Sequence, residues 1–223
     1  MKTNYLIVLF TSFIVFNCDT KNETYYKDYL TDEVMEEKAY LSLKDSLSNF
    51  VTLQESMVST KETNDSLIHT YFHLKFPKNM ANPWENLTEY IGKELPIDTL
   101  TTLTGKQISL KQNNNKPTLL HFWFTKCPPC IKEIPDLNTI YKKHKDNINF
   151  ISITFDKKDT VETFLKEHNF SFLAAVNAKE ILDALKQSAY PANVFIDKNN
   201  KVKFVFGNSV DEGALFNHIL ENM

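Results

Sequence analysis

Cys127-Pro128-Pro129-Cys130 contains the two side chains in this sequence best suited by type and spacing to covalent chemistry. The pair follows an apolar run, Thr118 to Phe124, and opens a stretch with helical patterning, Pro128 to about His144. A thiol at a helix N-terminus faces unpaired backbone N–H groups and the positive end of the helix dipole, which favour thiolate over thiol. Cys127 is therefore the expected nucleophile. Cys130 lies one turn further in, shielded but within reach of a mixed disulfide at Cys127, and is the expected resolving cysteine. Proline at the first helical positions gives up no hydrogen bond, because those N–H groups have no partner inside the helix. A bridge between residues this close closes too small a loop to staple a fold, so its value is chemical. A structural zinc site needs about four ligands, and the chain offers no second C-x-x-C or nearby Cys/His pair to complete one.

A strand, a turn and a helix must hold the pair, and from Glu94 onward the pattern alternates in that way. Ile148 to Phe155 reads as a second buried strand, which makes a βαβ unit with parallel strands and a right-handed crossover. Thr160 to His168 reads as a helix, Phe172 to Val176 as a short strand and Lys179 to Lys186 as a helix. Ala192 to Asp197 and Lys201 to Phe206 are strands joined in a hairpin by Lys198, Asn199 and Asn200. Asp211 to Glu221 closes the chain as a helix. The fold class is α/β.

Between Asp19 and about Tyr90, the apolar positions Val34, Leu41, Leu47, Val51 and Met57 fall mostly at helical spacings. The reading is a helical N-terminal region, residues 19–90, of two or three helices. His69 and His73 would share a helix face at metal-ligand spacing, but no acid accompanies them as in H-E-x-x-H, and a solvated or packed helix face is the expectation. Pro77, Pro83 and Pro96 mark the join to a second unit, residues 91–223.

Composition sets the wider frame. A chain of 223 residues with 42% hydrophobic content can build a conventional core. A formal charge of -3, with no long basic run, makes nucleic acid an unexpected partner. Residues 1–18 carry Lys2, an apolar run from Tyr5 to Phe16 and then Cys18, which reads as a signal peptide. The run is short of the ~20 residues that span a bilayer. A cysteine just past such a run resembles the bacterial lipobox, so Cys18 is the expected site of lipidation. Asn17 departs from the small residue usual before that cysteine, and a soluble secreted protein is the alternative. With Cys18 set aside, the remaining cysteines are one pair.

Glu94-Leu95-Pro96, Leu100, Leu103 to Leu110 (LTGKQISL) and Leu120 to Cys130 (LHFWFTKCPPC) resemble the TlpA/ResA branch of thioredoxin-like proteins, bacterial membrane-tethered extracytoplasmic disulfide reductases. The resemblance covers about Glu94 to Met223. It implies a thioredoxin-like fold: a central mixed sheet flanked by helices, with a C-terminal β-hairpin and helix. The implied activity is protein-disulfide reduction through a redox-active Cys127–Cys130 disulfide, with no other cofactor and no metal. The implied partners are disulfide-containing exported proteins, apocytochrome c among them, and a membrane or periplasmic electron donor.

Residue by residue, Glu133 matches the family's active-site glutamate, a general acid/base for Cys130. The alternative is an exposed carboxylate paired with Lys132 or Lys142. Pro135 matches the family's helix-kinking proline. Tyr190-Pro191 matches its cis-proline, beside which the Tyr190 backbone is free to pair with an extended substrate. Tyr190, Pro191, Trp123 and Lys126 are thus the expected substrate-binding residues, with Trp123 packing beside the dithiol. Lys126 replaces the family's usual tryptophan and should favour the Cys127 thiolate. His121 stands where thioredoxins carry a buried acid. It could titrate, or be a hydrogen-bonded core histidine. The motif does not fix redox direction, so an oxidase or isomerase, or a partner-binding module with a redox clamp, stays open. Peroxide reduction is disfavoured by the lack of a P-x-x-x-T-x-x-C motif.

Overall fold

The computed structural model describes residues 23–207, apart from 30, 64 and 79, together with 219. The signal segment, Cys18 and most of the closing helix expected over 211–221 lie outside the described residues; Ile219, the exception, is helical and buried.

The N-terminal region departs from the helical expectation. From Glu23 to Pro77 its described residues form a four-stranded sheet of β1 (Glu23–Asp28), β2 (Val34–Glu36), β3 (Val51–Glu62) and β4 (Ser66–Pro77), with one helix, α1 (Glu37–Ser48). The order is β2-β1-β4-β3, with β1 parallel to β4 and the other pairs antiparallel. Only the segment rich in Glu, Lys, Ala and Leu became helix. The stretch from Val51 to Pro77 is dense in Val, Thr, Ile, Tyr and Phe, which suit a pleated surface. Its apolar positions are compatible with a period of 3.6 as well as a period of 2, so spacing alone does not separate helix from strand there.

Beyond α2 (Glu85–Thr88) and the small ribbon of β5 (Leu100–Thr101) and β6 (Gln107–Ile108), the chain builds a thioredoxin-like unit. Its elements are β7 (Thr118–Phe122), α3 (Pro128–His144), β8 (Asn149–Ile153), α4 (Lys158–Glu167), β9 (Leu173–Ala175), α5 (Lys179–Ala184), β10 (Ala192–Ile196) and β11 (Val202–Phe206). The sheet runs β11-β10-β7-β8-β9, with β7, β8 and β9 parallel and β10 antiparallel to both its neighbours. Every residue of β7 and β10 is buried, as a sheet covered on both faces requires. One face packs Leu119, Trp123, Phe195 and Phe204 against α3 and α4, and the other packs Leu120, Phe122 and Val194 against α2 and α5. The exposed edge of β11 is capped where Val202 pairs with the backbone of 91–93.

The N-terminal sheet leans on that same edge. Tyr29 packs on Phe204 with ring centroids 5.6 Å apart, and Lys203 Nζ donates to the Val58 carbonyl at 3.2 Å.

Candidate active site

The end of β7 feeds directly into the helix that carries the dithiol. Trp123 N–H donates to the Ile153 carbonyl at 3.1 Å, Thr125 N–H to Asp156 Oδ2 at 2.6 Å and Cys127 N–H to the Phe124 carbonyl at 3.1 Å, so three successive anchors fix the turn. Cys127 is the N-cap of α3, extended at φ -94 and ψ 101, and its Sγ accepts from Cys130 N–H at 3.3 Å. That contact places the sulfur on the orphan N–H groups that stabilise a thiolate. Pro128 and Pro129 occupy the first helical positions, and Lys142, Lys143 and His144 close the helix where its dipole favours cations. The two cysteines are joined as a disulfide, with Cα atoms 5.3 Å apart. In this state Cys127 is 2% exposed and Cys130 fully enclosed.

Glu133, one turn beyond Cys130, is buried under the sheet, which removes the alternative of an exposed carboxylate paired with surface lysines. Its Oε1 lies 3.4 Å from His121 Nδ1, and both side chains have no solvent exposure. His121 Nδ1 is also 3.0 Å from Asn193 Oδ1, across the antiparallel register of β7 and β10. Burial pulls the His121 imidazole down to about 4, the Asn193 hydrogen bond opposing it, so the ring is neutral at neutral pH.

On the other side of the dithiol the Tyr190–Pro191 peptide is cis. Tyr190, half-buried, meets Phe124 edge-on at 5.4 Å and Phe155 at 6.0 Å, while Phe124 stacks on Phe155 at 5.4 Å. Phe155 is 38% exposed, so this aromatic rim opens to solvent beside the Cys127 turn. Lys126 is exposed on that turn. Trp123, expected among the substrate-binding residues, is instead wholly buried between Phe164 and Phe170. The pleat sends it to the α3 face with Leu119 and His121, and a substrate cannot touch it in this state.

His69 and His73 lie on a strand rather than a helix. His69 Nδ1 meets Thr60 Oγ1 at 3.0 Å, and His73 is held between Asp28 and Glu55. No group of three or more metal-ligating side chains occurs among the described residues.

Four features of the site escaped the sequence reading. Asp156 anchors Thr125, Asn193 orients His121, Phe124 and Phe155 build the rim, and Trp84 donates its indole N–H to the Pro191 carbonyl at 3.0 Å. Each depends on partners far apart in the chain, up to 107 residues for Trp84, and no local signal marks them.

The AhpC/TSA family model matches residues 91–205. The thiol-disulfide oxidoreductase ResA of Bacillus thuringiensis subsp. konkukian is 37% identical over 115 residues, a match covering 50% of this chain and 66% of ResA. The chain thus spans just under two thirds of the length of that relative. Among solved structures, the thioredoxin domain of a thiol-disulfide oxidoreductase from Bacteroides vulgatus superposes with a TM-score of 0.53 at 21% identity, covering 58% of this chain and 97% of that domain. A thiol:disulfide interchange protein from Bacteroides sp. gives a TM-score of 0.51 at 22% identity, covering 59% and 88%.

Proposed function

The chain belongs to the AhpC/TSA family, and on that premise we propose that it is a thiol–disulfide oxidoreductase working as a reductase of disulfides in exported proteins. The observation that carries this reading is Cys127 as the N-cap of α3, its sulfur on the Cys130 N–H and joined to Cys130 in a disulfide. In the reduced protein, the Cys127 thiolate attacks a substrate disulfide and releases one substrate thiol. Cys130 gives its proton to Glu133 and attacks the mixed disulfide. The second substrate thiol then leaves, and two electrons have passed from the protein dithiol to the substrate.

An extended substrate lies against Pro191, which has no N–H, beside the Tyr190 backbone and the aromatic rim of Phe124, Phe155 and Tyr190. Lys126 borders that surface from the Cys127 turn. The redox pair needs no other cofactor. A membrane or periplasmic donor returns the electrons. The protein works outside the cytoplasm, anchored by lipid on Cys18, with apocytochrome c among its substrates. No helix among the described residues is long and apolar enough to cross a membrane.

The test is the reduction potential of the pair, measured by equilibration in dithiothreitol and glutathione buffers, together with reduction of a peptide disulfide by the dithiol form. A potential near about -270 mV or lower supports the reductase. One near about -120 mV makes the protein an oxidant, and two thiols that never pair reversibly end the redox reading altogether.

A further inference from the structure

β7 carries His121 into the layer between the central sheet and α3, where it is fully enclosed. Asn193 Nδ2 donates to the Gly207 carbonyl at 2.6 Å, which leaves Asn193 Oδ1 as an acceptor facing His121 Nδ1 at 3.0 Å. The proton of the neutral ring is therefore on Nδ1 and is donated to Asn193 Oδ1, while Glu133 Oε1 stands 3.4 Å from the same nitrogen without a hydrogen bond to it in the disulfide state. Nε2 has no hydrogen-bond partner among the described residues. The same Nδ1 donor faces, at 3.4 Å, the carboxylate one turn from the resolving cysteine.

Glu133 and, one turn back on α3, the Cys127–Cys130 pair are the titratable groups on that side. The other surroundings are neutral: Ser152 across the register on β8, Asn193 on β10, and the rings of Phe170 and Phe172 edge-on to the imidazole.

We propose that His121 is a positioning residue for the resolving step: its Nδ1–H, held by Asn193 at 3.4 Å from Glu133 Oε1, turns to the Glu133 carboxylate once the dithiol is reduced and sets the pH above which Glu133 can take the Cys130 proton. The inference deepens the redox reading and rests on it. The balance is simple. The Cys130 proton moves to Glu133, the Cys130 sulfur bonds to Cys127 Sγ, the bond from Cys127 to the substrate sulfur breaks, and the departing substrate thiolate takes up a proton. A hydrogen bond to the charged form of a carboxyl lowers its proton affinity, so loss of the donor moves the acid limb of this step to higher pH.

The experiment follows mixed-disulfide resolution in the full chain by stopped flow. Reduced protein is mixed with glutathione disulfide across the pH range, and Cys127 glutathionylation and its resolution are timed separately. His121→Leu should raise the acid limb of resolution by about one pH unit, about tenfold slower resolution below the limb. His121→Asn, which keeps an N–H donor, should return the limb to within a few tenths of a unit of wild type. Coincident Leu and wild-type limbs would overturn the assignment.

Should the Leu variant fail to fold, the wild type decides by nitrogen NMR of the ring. The expected result is an Nδ1-protonated imidazole whose resonances shift with the midpoint of the resolution limb, a response absent in Glu133→Gln. Resonances that stay flat through that limb also overturn it. A wild-type chain that forms no Cys127 mixed disulfide overturns the redox reading, and this assignment with it, before any His121 variant is made.

Discussion

His121 and His73 are both largely withdrawn from water, one in the thioredoxin-like unit and one in the N-terminal sheet, yet their surroundings push them in opposite directions. Burial pulls His121 down to about 4, with one Asn193 hydrogen bond opposing. Burial also acts to lower His73, but hydrogen bonds to Glu55 and Asp28 outweigh it and raise the ring above its usual range. The Glu55 carboxyl shows the complement: burial would raise it, while hydrogen bonds from His73, Lys44 and Tyr40 hold it at about 2. Desolvation is common to both sites, so the number and charge of partners decide the sign. The redox unit holds His121 neutral as a donor, whereas the two carboxylates around His73 in the N-terminal sheet favour its protonated form.

The sharpest way to break this division of labour is at the dithiol. Cys127→Ser should cut disulfide reduction by roughly a thousandfold or more, because the nucleophile is gone. Cys130→Ser should instead leave the protein trapped as a mixed disulfide, visible by mass spectrometry as one substrate bound per chain. Comparable loss from substitutions in the N-terminal sheet would contradict the assignment of chemistry to α3. Next in size, Glu133→Gln should slow resolution by about a hundredfold while Cys127 still attacks, read from the two phases of a stopped-flow trace. A single-phase loss would mean that the carboxyl supports the nucleophile instead.

The two histidines also predict different responses of stability to pH. His121, depressed in the folded state, contributes stability that is complete above about 6.5 and is lost as pH falls from there toward 4. The shift from 6.5 to about 4 bounds the loss at about 3 kcal/mol. His73, raised in the folded state, contributes stability that is complete below about 6.5 and is lost as pH rises through its elevated value. Glu55 contributes above about 4.5 and loses that contribution as pH falls toward 2. The N-terminal sheet should therefore be most stable between about pH 4.5 and 6.5, the interval in which the redox unit weakens. Hydrogen exchange resolved by segment at pH 5 and pH 8 checks this, and parallel changes in both regions would refute it.

Legibility in the sequence followed the same divide. The alternation of β7, α3 and β8 could be read because an unbroken apolar strand, a Cys-Pro-Pro-Cys helix start and a second apolar strand each carry their own local signal. Glu133 could be placed because the family resemblance marks it and a helix then sets it one turn from Cys130. The N-terminal sheet could not, because its apolar residues suit helical spacing as readily as alternation and its aromatic ladder of Tyr26, Tyr40 and Tyr71 forms only when β1, α1 and β4 meet. Asn193 was hidden for a related reason: its role depends on lying opposite His121 across β7 and β10, a register that composition does not disclose. Trp123, expected both to pack beside the dithiol and to touch substrate, does only the first, because the pleat turns its ring into the core.

The smallest expected effect lies at the joint between the two regions. Trp84 leaves the N-terminal region to donate its indole N–H to the Pro191 carbonyl at 3.0 Å, and its ring fills the space a Cβ at Gly207 would occupy. Trp84→Phe keeps most of the ring and removes the donor, a change of about 1 kcal/mol or less, worth some 2–4 °C in melting temperature for a chain of this size. If the N-terminal region only leans on the redox unit, that is the whole effect, and peptide and glutathione disulfides are reduced as in wild type. If the hydrogen bond holds the cis-proline loop in register for an extended substrate, KM for a peptide disulfide rises several-fold while the rate with glutathione disulfide is unchanged, since the small disulfide needs only Cys127. The ratio of the two rates therefore separates a passive neighbour from a region that shapes the substrate site, and a drop in both would place the Trp84 contact in the folding of the redox unit itself.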